Sequence, residues 1–328
     1  MMKCIVTCLM ALAPIAWANP GPGDTNDFHG KRVLIIGIDG LRADALQEAK
    51  APVIQSLAKS GSVTWTAVAG GAEEGPTHQP TISGPGWTSI LTGTCIDKHG
   101  VSGNSTKPGI YQVEKAPHFA KRLKETVPTA CVASIASWGW IEDYMIAAQP
   151  DVVDHHAKGS GKTYPERDAD VKTQALEYLA KDNPDVLFLH FDQVDGAGHS
   201  TGFSTDNPKY MAAITSVDGL VDDVLKSIRK RPQYAKESWL VILTTDHGGR
   251  GTSHGGQSPE ERTIPMIVAG KSVPKLGVSK ETPGQWVVPA TTFQYLGVPV
   301  KAEWGWEPGT FGLQKPAIAG GANDKPKS

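Results

Sequence analysis

The sequence predicts an α/β fold, with a mostly parallel central sheet covered by helices on both faces. Five short runs are continuously apolar and rich in β-branched residues, as expected of strands buried on both sides. Helix-like segments lie between these runs, and alternation of strands with helices is the signature of crossover-connected parallel sheets. The chain also carries 36 glycines and 24 prolines among 328 residues, which suits many tight turns between short elements rather than a helical bundle.

In chain order, MMKCIVTCLMALAPIAWA (1–18) reads as a secretory signal peptide. Lys3 opens it, Cys4 to Ile15 is apolar, and Ala16-Trp17-Ala18 offers small residues for cleavage. The apolar stretch is short for a membrane span and Pro14 interrupts it. The mature chain is then expected in a periplasm or outside the cell, without a membrane anchor, as a single domain over residues 19–314. A Pro/Gly/Asp-rich lead-in (19–29) precedes the first strand, KRVLIIGID (31–39). The helix-like APVIQSLAKSG (51–61) follows, then the strand TACVASIAS (129–137) and the helix ADVKTQALEYLAK (169–181). The strand PDVLFLHF (184–191) leads to the long helix PKYMAAITSVDGLVDDVLKSIRK (208–230). SWLVILTT (238–245) and RTIPMIVAG (262–270) are the last two strands, and residues 315–328, small and polar, read as a flexible C-terminal tail. No repeat is visible.

At 39% hydrophobic residues the chain can bury a substantial core. A formal charge of −2 with acids and bases interspersed gives no surface for nucleic acid or anionic membrane. Cys4 and Cys8 would leave with the signal peptide. Cys95 and Cys131 remain, candidates for a disulfide in an oxidising compartment, and neither has metal-ligand spacing.

The acids fall at regular places. Asp39 follows the first buried run, Asp192 and Asp195 follow the third, and Asp246-His247 follow the fourth. In open α/β sheets ligands gather at the carboxyl ends of strands, so three strands deliver Asp or His to one edge. DGAGH spaces Asp195 and His199 by four residues, TTDHGG joins Asp246 to His247, and His254 follows in RGTSHGG. Carboxylate oxygens and imidazole nitrogens are ligands that zinc accepts, and these six residues suffice for two ions sharing a substrate oxygen. Singly, the same residues also read as turn carboxylates and ordinary histidines. His99 and His190 neighbour the motifs without an assigned role, and His155-His156 reads as a solvated pair.

PTISGPGWTSILTG (80–93) holds five hydroxyl side chains. Pro85 suits the start of a helix, which places Ser83 just before that helix and its amides toward any bound anion. The ordinary role of such a serine is capping.

The motifs IIGIDGLRADAL, the Ser83 stretch, DKHGVSGN, VDGAGHSTGF and LTTDHGG with a following HGG occur in an order that resembles the alkaline phosphatase superfamily. They are most similar to its type I phosphodiesterase/nucleotide pyrophosphatase branch, over about residues 31–270. The resemblance implies a three-layer α/β/α sandwich holding two Zn2+ ions, with Mn2+ as an alternative. It implies that Asp39, Ser83, Asp246 and His247 hold the first ion, and Asp195, His199 and His254 the second. Ser83 would attack phosphorus to form a phosphoserine, and Asn104 would hold a non-bridging phosphate oxygen.

The chain departs from the branch in two places. Gly84-Pro85-Gly86-Trp87 stands where an aromatic residue, Pro, Asn and His usually follow the nucleophile, and His254 lies unusually close to Asp246. Ser83-Gly84-Pro85 has the S-x-P frame of sulfatases, but Trp87 occupies the place of their arginine, so conversion to formylglycine is not expected.

The expected activity is hydrolysis of a small-molecule phosphate ester, with diesters favoured because Asn104 stands where monoesterases often carry Arg or Lys. Monoesters, phosphonates and sulfate esters on the same fold are the alternatives. Gly198-His199-Ser200-Thr201-Gly202 also matches the G-x-S-x-G elbow, which makes a metal-independent esterase on Ser200 a competing reading. A non-catalytic metal- or phosphate-binding protein would lack Ser83 or a ligand, and none is missing.

Overall fold

Residues 28–314 are described by a computed structural model. The expected signal peptide (1–18) and C-terminal tail (315–328) lie outside the described residues.

The five apolar runs join three further strands in one eight-stranded sheet. Its strands are β1 (Lys31–Ile38), β2 (Ser62–Val68), β3 (Val132–Ala136), β4 (His155–Lys158), β5 (Val186–Phe191), β6 (Ser238–Thr244), β7 (Thr263–Gly270) and β8 (Gly277–Val278). They lie in the order β4-β3-β5-β1-β6-β7-β2-β8. The segment from β4 to β6 is parallel, β7 runs antiparallel to both β6 and β2, and β8 is parallel to β2. The sheet is therefore mostly parallel, as the buried runs predict. β2, β4 and β8 are elements that hydrophobic patterning did not single out.

The helices are α1 (Ala43–Glu48), α2 (Pro52–Ser60), α3 (Ser83–Thr92), α4 (Ile96–His99), α5 (Phe119–Thr126), α6 (Tyr164–Lys181), α7 (Gln193–Thr201), α8 (Pro208–Arg229), α9 (Pro259–Arg262) and α10 (Val287–Leu296). The two-residue period of each strand sends alternate side chains into two cores. Val33 and Ile35 of β1 pack with Trp87, Ile90, Phe119 and Phe293 from α3, α5 and α10. Leu34, Ile36 and Ile38 pack with Leu46, Ile54, Val171 and Ile214 from α1, α2, α6 and α8. This is the three-layer α/β/α arrangement.

Local signals start the long helices, α8 at the expected residue and α6 at Tyr164, five residues ahead of the expected 169. Thr163 and Glu166 form a reciprocal capping box at α6, and Asn207 accepts from the Lys209 amide at α8, with Pro208 following. No helix among the described residues is long and apolar enough to cross a membrane.

The expected Cys95–Cys131 bridge is not formed, and both are free thiols. Cys95 follows α3 in one helical layer, whereas the Cys131 sulfur lies 3.6 Å from the Tyr178 hydroxyl of α6 in the other. The sheet stands between those layers, so an even cysteine count does not make a pair here.

Candidate metal centre and nucleophile

Adjacency of strands builds the site. β1 lies between β5 and β6, so the three acid-bearing strand ends are immediate neighbours at the carboxyl edge of the sheet. Asp39 follows β1, and Asp246 and His247 follow β6 through Thr245. After β5 the chain enters α7 at once, and i,i+4 spacing places Asp195 and His199 on one face of it. Asp168 of α6 fixes that helix start by accepting from the Asp192 and Gln193 amides at 2.8 and 3.0 Å. Gly40 makes the close packing there: its φ is +66°, and a Cβ on it would lie 2.7 Å from Asp195 Oδ1.

Ser83 is not the helix cap. Ile82 holds that position, Ser83 is the first residue of α3, and the helix begins earlier than Pro85 predicts. Its Oγ is buried, 3.3 Å from His247 Nε2. The first-turn amides are less available than expected. Pro85 has none, the Gly84 amide donates to Asn104 Oδ1 at 2.8 Å, and the Gly86 amide donates to the Ile82 carbonyl. The Ser83 amide is the remaining first-turn donor. Asn104 is exposed beside Ser83, with its Oδ1 engaged by Gly84.

The donor set fits divalent cations. Asp39 Oδ1, Asp195 Oδ1 and Asp246 Oδ2 are buried carboxylate oxygens without a hydrogen-bond partner among the described residues. Such atoms are costly to bury alone. The three histidines are held with Nε2 turned inward, because each Nδ1 is tied to a backbone carbonyl. His247 pairs with Gly248 O at 2.8 Å, His254 with Thr81 O at 2.8 Å and His199 with Thr252 O at 3.0 Å. His199 Nε2 and His254 Nε2 face each other at 3.0 Å, a separation that needs a proton or a cation between them. His247 Nε2 lies 3.1 Å from Asp246 Oδ2 and 3.5 Å from Asp39 Oδ1.

Two ligand-capable groups follow: Asp39, Asp246 and His247, and Asp195, His247 and His254. The first is the expected set. In the second, His247 lies close enough to join, while His199 stands at the rim with its side chain 44% exposed and Nε2 3.3 Å from Asp195 Oδ2.

Electrostatics agree with the geometry. Burial and repulsion from Asp39 push the Asp195 and Asp246 carboxyls well above the usual range. Burial also opposes ionisation of Asp39, but hydrogen bonds donated by His190 and the Trp87 indole, with the His247 imidazole close by, outweigh it and hold its carboxyl at about 2. Burial lowers His247 to about 3 and also lowers His254, so both rings are neutral near pH 7 and could serve as ligands. Clustered carboxylates that resist joint ionisation are stabilised by added positive charge.

Sequence reasoning missed several residues. His190 lies on β5 with Nε2 3.2 Å from Asp39 Oδ2, and Trp87 Nε1 reaches the same oxygen at 2.8 Å. The signal for His190 was a histidine inside a wholly apolar strand. Asp192, pushed up to about 7 by burial and by Asp39, forms a third close group with Asp39 and His190. Arg167 stacks on Tyr164 at 4.5 Å and lies 3.9 Å from Asp192.

Other candidates stand apart from this cluster. His99 is buried and bonded to Ser89 and the Val101 amide. Ser200 is exposed within α7 rather than on a strand-to-helix elbow. That arrangement overturns the metal-independent esterase reading, which needs the serine on a sharp turn.

Comparison with known proteins identifies the family and the fold. The sequence profile of the family described as Type I phosphodiesterase / nucleotide pyrophosphatase matches residues 33–261. The chain is 25% identical over 242 residues to the bovine protein named bis(5'-adenosyl)-triphosphatase ENPP4, covering 69% of this chain and 49% of that protein. A fission-yeast protein named as an uncharacterized pyrophosphatase/phosphodiesterase is 25% identical over 248 residues, covering 70% of this chain and 47% of its own. The chain thus spans about half the length of these curated relatives. Among solved structures, murine ectonucleotide pyrophosphatase/phosphodiesterase 5, an inactive form in complex with AMP, aligns with a TM-score of 0.60 at 14% identity, covering 82% of this chain and 96% of that one. A 2-O GAG sulfatase aligns with a TM-score of 0.66 at 16% identity, covering 83% and 72%. These structures share the fold.

Proposed function

Because the chain belongs to the type I phosphodiesterase/nucleotide pyrophosphatase family, within the alkaline phosphatase superfamily, we propose that it is an exported hydrolase of small-molecule phosphate esters acting through a phosphoserine on Ser83. One observation carries this reading. The Ser83 hydroxyl is buried 3.3 Å from His247 Nε2, in a cluster that contains three unpartnered carboxylate oxygens.

Asp39, Asp246 and His247, with Ser83, would hold one divalent cation, and Asp195, His199 and His254 the other. Bound there, two Zn2+ ions, or Mn2+ in their place, would supply Lewis acidity that favours the serine alkoxide and offsets charge on the transferring phosphoryl group. Ser83 Oγ forms a bond to phosphorus as the bond to the departing alcohol breaks, and that alcohol leaves with the serine's proton. Water then cleaves the phosphoserine and restores the hydroxyl. Asn104 Oδ1 is engaged by Gly84, so its amide donors serve a non-bridging phosphate oxygen. The Ser83 amide adds a donor at the head of α3.

Diesters are the preferred substrates. Arg167, the basic side chain near the acids, already pairs with Asp192 rather than standing free for the extra charge of a monoester. The relatives' names put bis(5'-adenosyl) triphosphate, a phosphoanhydride, beside phosphodiesters among the compounds to try. Sulfate esters fit the shared fold less well at the site, since Trp87 replaces the arginine of the sulfatase motif and its indole is committed to Asp39.

The test compares hydrolysis of nitrophenyl phosphate diester, monoester and sulfate, with metal analysis of the same protein. Ser83→Ala should lose turnover while retaining its cations, and undiminished turnover would overturn the assignment. N-terminal sequencing of the mature protein tests export, with cleavage expected after Ala18.

A further inference from the structure

We propose that Trp87 and His190 are positioning residues that occupy Asp39 Oδ2 together, so that Asp39 presents Oδ1 alone to a cation. The proposal rests on the metal-dependent reading above.

Asp39 Oδ2 accepts from Trp87 Nε1 at 2.8 Å and from His190 Nε2 at 3.2 Å. Oδ1 is buried, unpartnered and 3.5 Å from His247 Nε2. The carboxylate is thus divided, with one oxygen bound to the protein and the other left for a ligand.

The state of His190 follows from its other nitrogen. Nδ1 accepts from the Trp138 amide at 3.4 Å, so Nε2 carries the hydrogen and donates it. His190 lies close enough to Asp39 and Asp192 to resemble a ligand, but its Nε2 lone pair is not free. It acts on Asp39.

The two donors also hold each other. Both rings are fully buried and meet edge to face, with centroids 4.7 Å apart and planes at 81°. Gly37 of β1 makes room for the indole, since a Cβ there would lie 2.4 Å from Trp87 Cη2. Trp87 lies one helical turn after Ser83 on the same face of α3. Its bond to Asp39 therefore also sets the nucleophile's helix against the acid that serves it.

The test measures cation affinity directly, by competition with a chromogenic chelator for Zn2+, on Trp87→Phe, His190→Leu and His190→Gln. Each variant is first checked by circular dichroism and thermal melting. Trp87→Phe keeps the ring and loses the donor, and His190→Leu loses the other donor. Each should weaken one of the two cations by about 10–100-fold and leave the second near the wild-type value, the usual effect of losing an outer-shell partner. His190→Gln should restore most of the loss, because its carboxamide N–H substitutes for Nε2–H. Wild-type affinity for both cations in Trp87→Phe or His190→Leu overturns the proposal. So does a His190→Gln protein as impaired as His190→Leu, which would make His190 a ligand. If Trp87→Phe does not fold, the His190 pair decides alone. A wild-type protein that takes up no divalent cation overturns the hydrolase reading beneath, and this proposal with it.

Discussion

Gly37→Ala perturbs the site without touching any proposed ligand. The added methyl would sit 2.4 and 2.5 Å from Trp87 Cη2 and Cζ3. β1 cannot yield, because Gly37 is registered against His190 on one side and Thr244 on the other. The indole must therefore retreat by about 1 Å to reach ordinary contact. Its bond to Asp39, now 2.8 Å, would then exceed hydrogen-bonding distance. Overpacking of this kind costs about 1–3 kcal/mol. Loss of a hydrogen bond to a charged group costs about 1.5–3 kcal/mol, and the reduced freedom of the unfolded chain returns about 0.4–1 kcal/mol. The net loss is roughly 2–5 kcal/mol, read from urea unfolding, together with a fall in affinity for one cation. Gly103→Ala is the control, since nothing lies within 4 Å of its Cβ position. A Gly37→Ala protein matching wild type in both measurements would refute the packing argument.

Gly219→Ala, at an exposed position of α8 with nothing within 4 Å, should stabilise the fold by about 0.5–1 kcal/mol in thermal melts. Glu142 accepts from Ser134 Oγ at 2.6 Å, and burial pushes its carboxyl from 4.5 up to about 8. The folded state keeps a proton that the unfolded chain releases, so stability should fall as pH rises from about 4.5 to 8 and flatten beyond. At about 1.36 kcal/mol per unit this amounts to a few kcal/mol, and Glu142→Gln should remove the slope in urea midpoints measured across that range.

The core of the fold was legible because strands buried on both faces have no polar alternation to obscure them. β1, β5 and β6 coincide with unbroken apolar runs, and the acids at their ends stand out against those runs. Edge strands were not legible. β4 reads HHAK, with alternate residues exposed, and β8 is two residues long. α7 was hidden by glycines at 196 and 198, which lower helix propensity yet allow Tyr164 and Phe203 to pack closely. The roles of Trp87 and His190 depend on which face of a helix and a strand meet, and periodicity alone does not register two elements in space. The cysteine expectation failed for the same reason, since a parity count cannot tell one face of a sheet from the other.

The neighbourhood of β1 with β5 and β6 also bears on how the protein assembles. Val33 pairs with Val186 and Leu240, partners about 150 and about 200 residues away along the chain. Pairings so remote form slowly, and closing the sheet is what brings the mutually repelling acids together. Divalent cations that engage only the completed edge would raise stability by mass action on the native state, without templating any earlier step. Cation concentration should therefore slow unfolding far more than it speeds refolding.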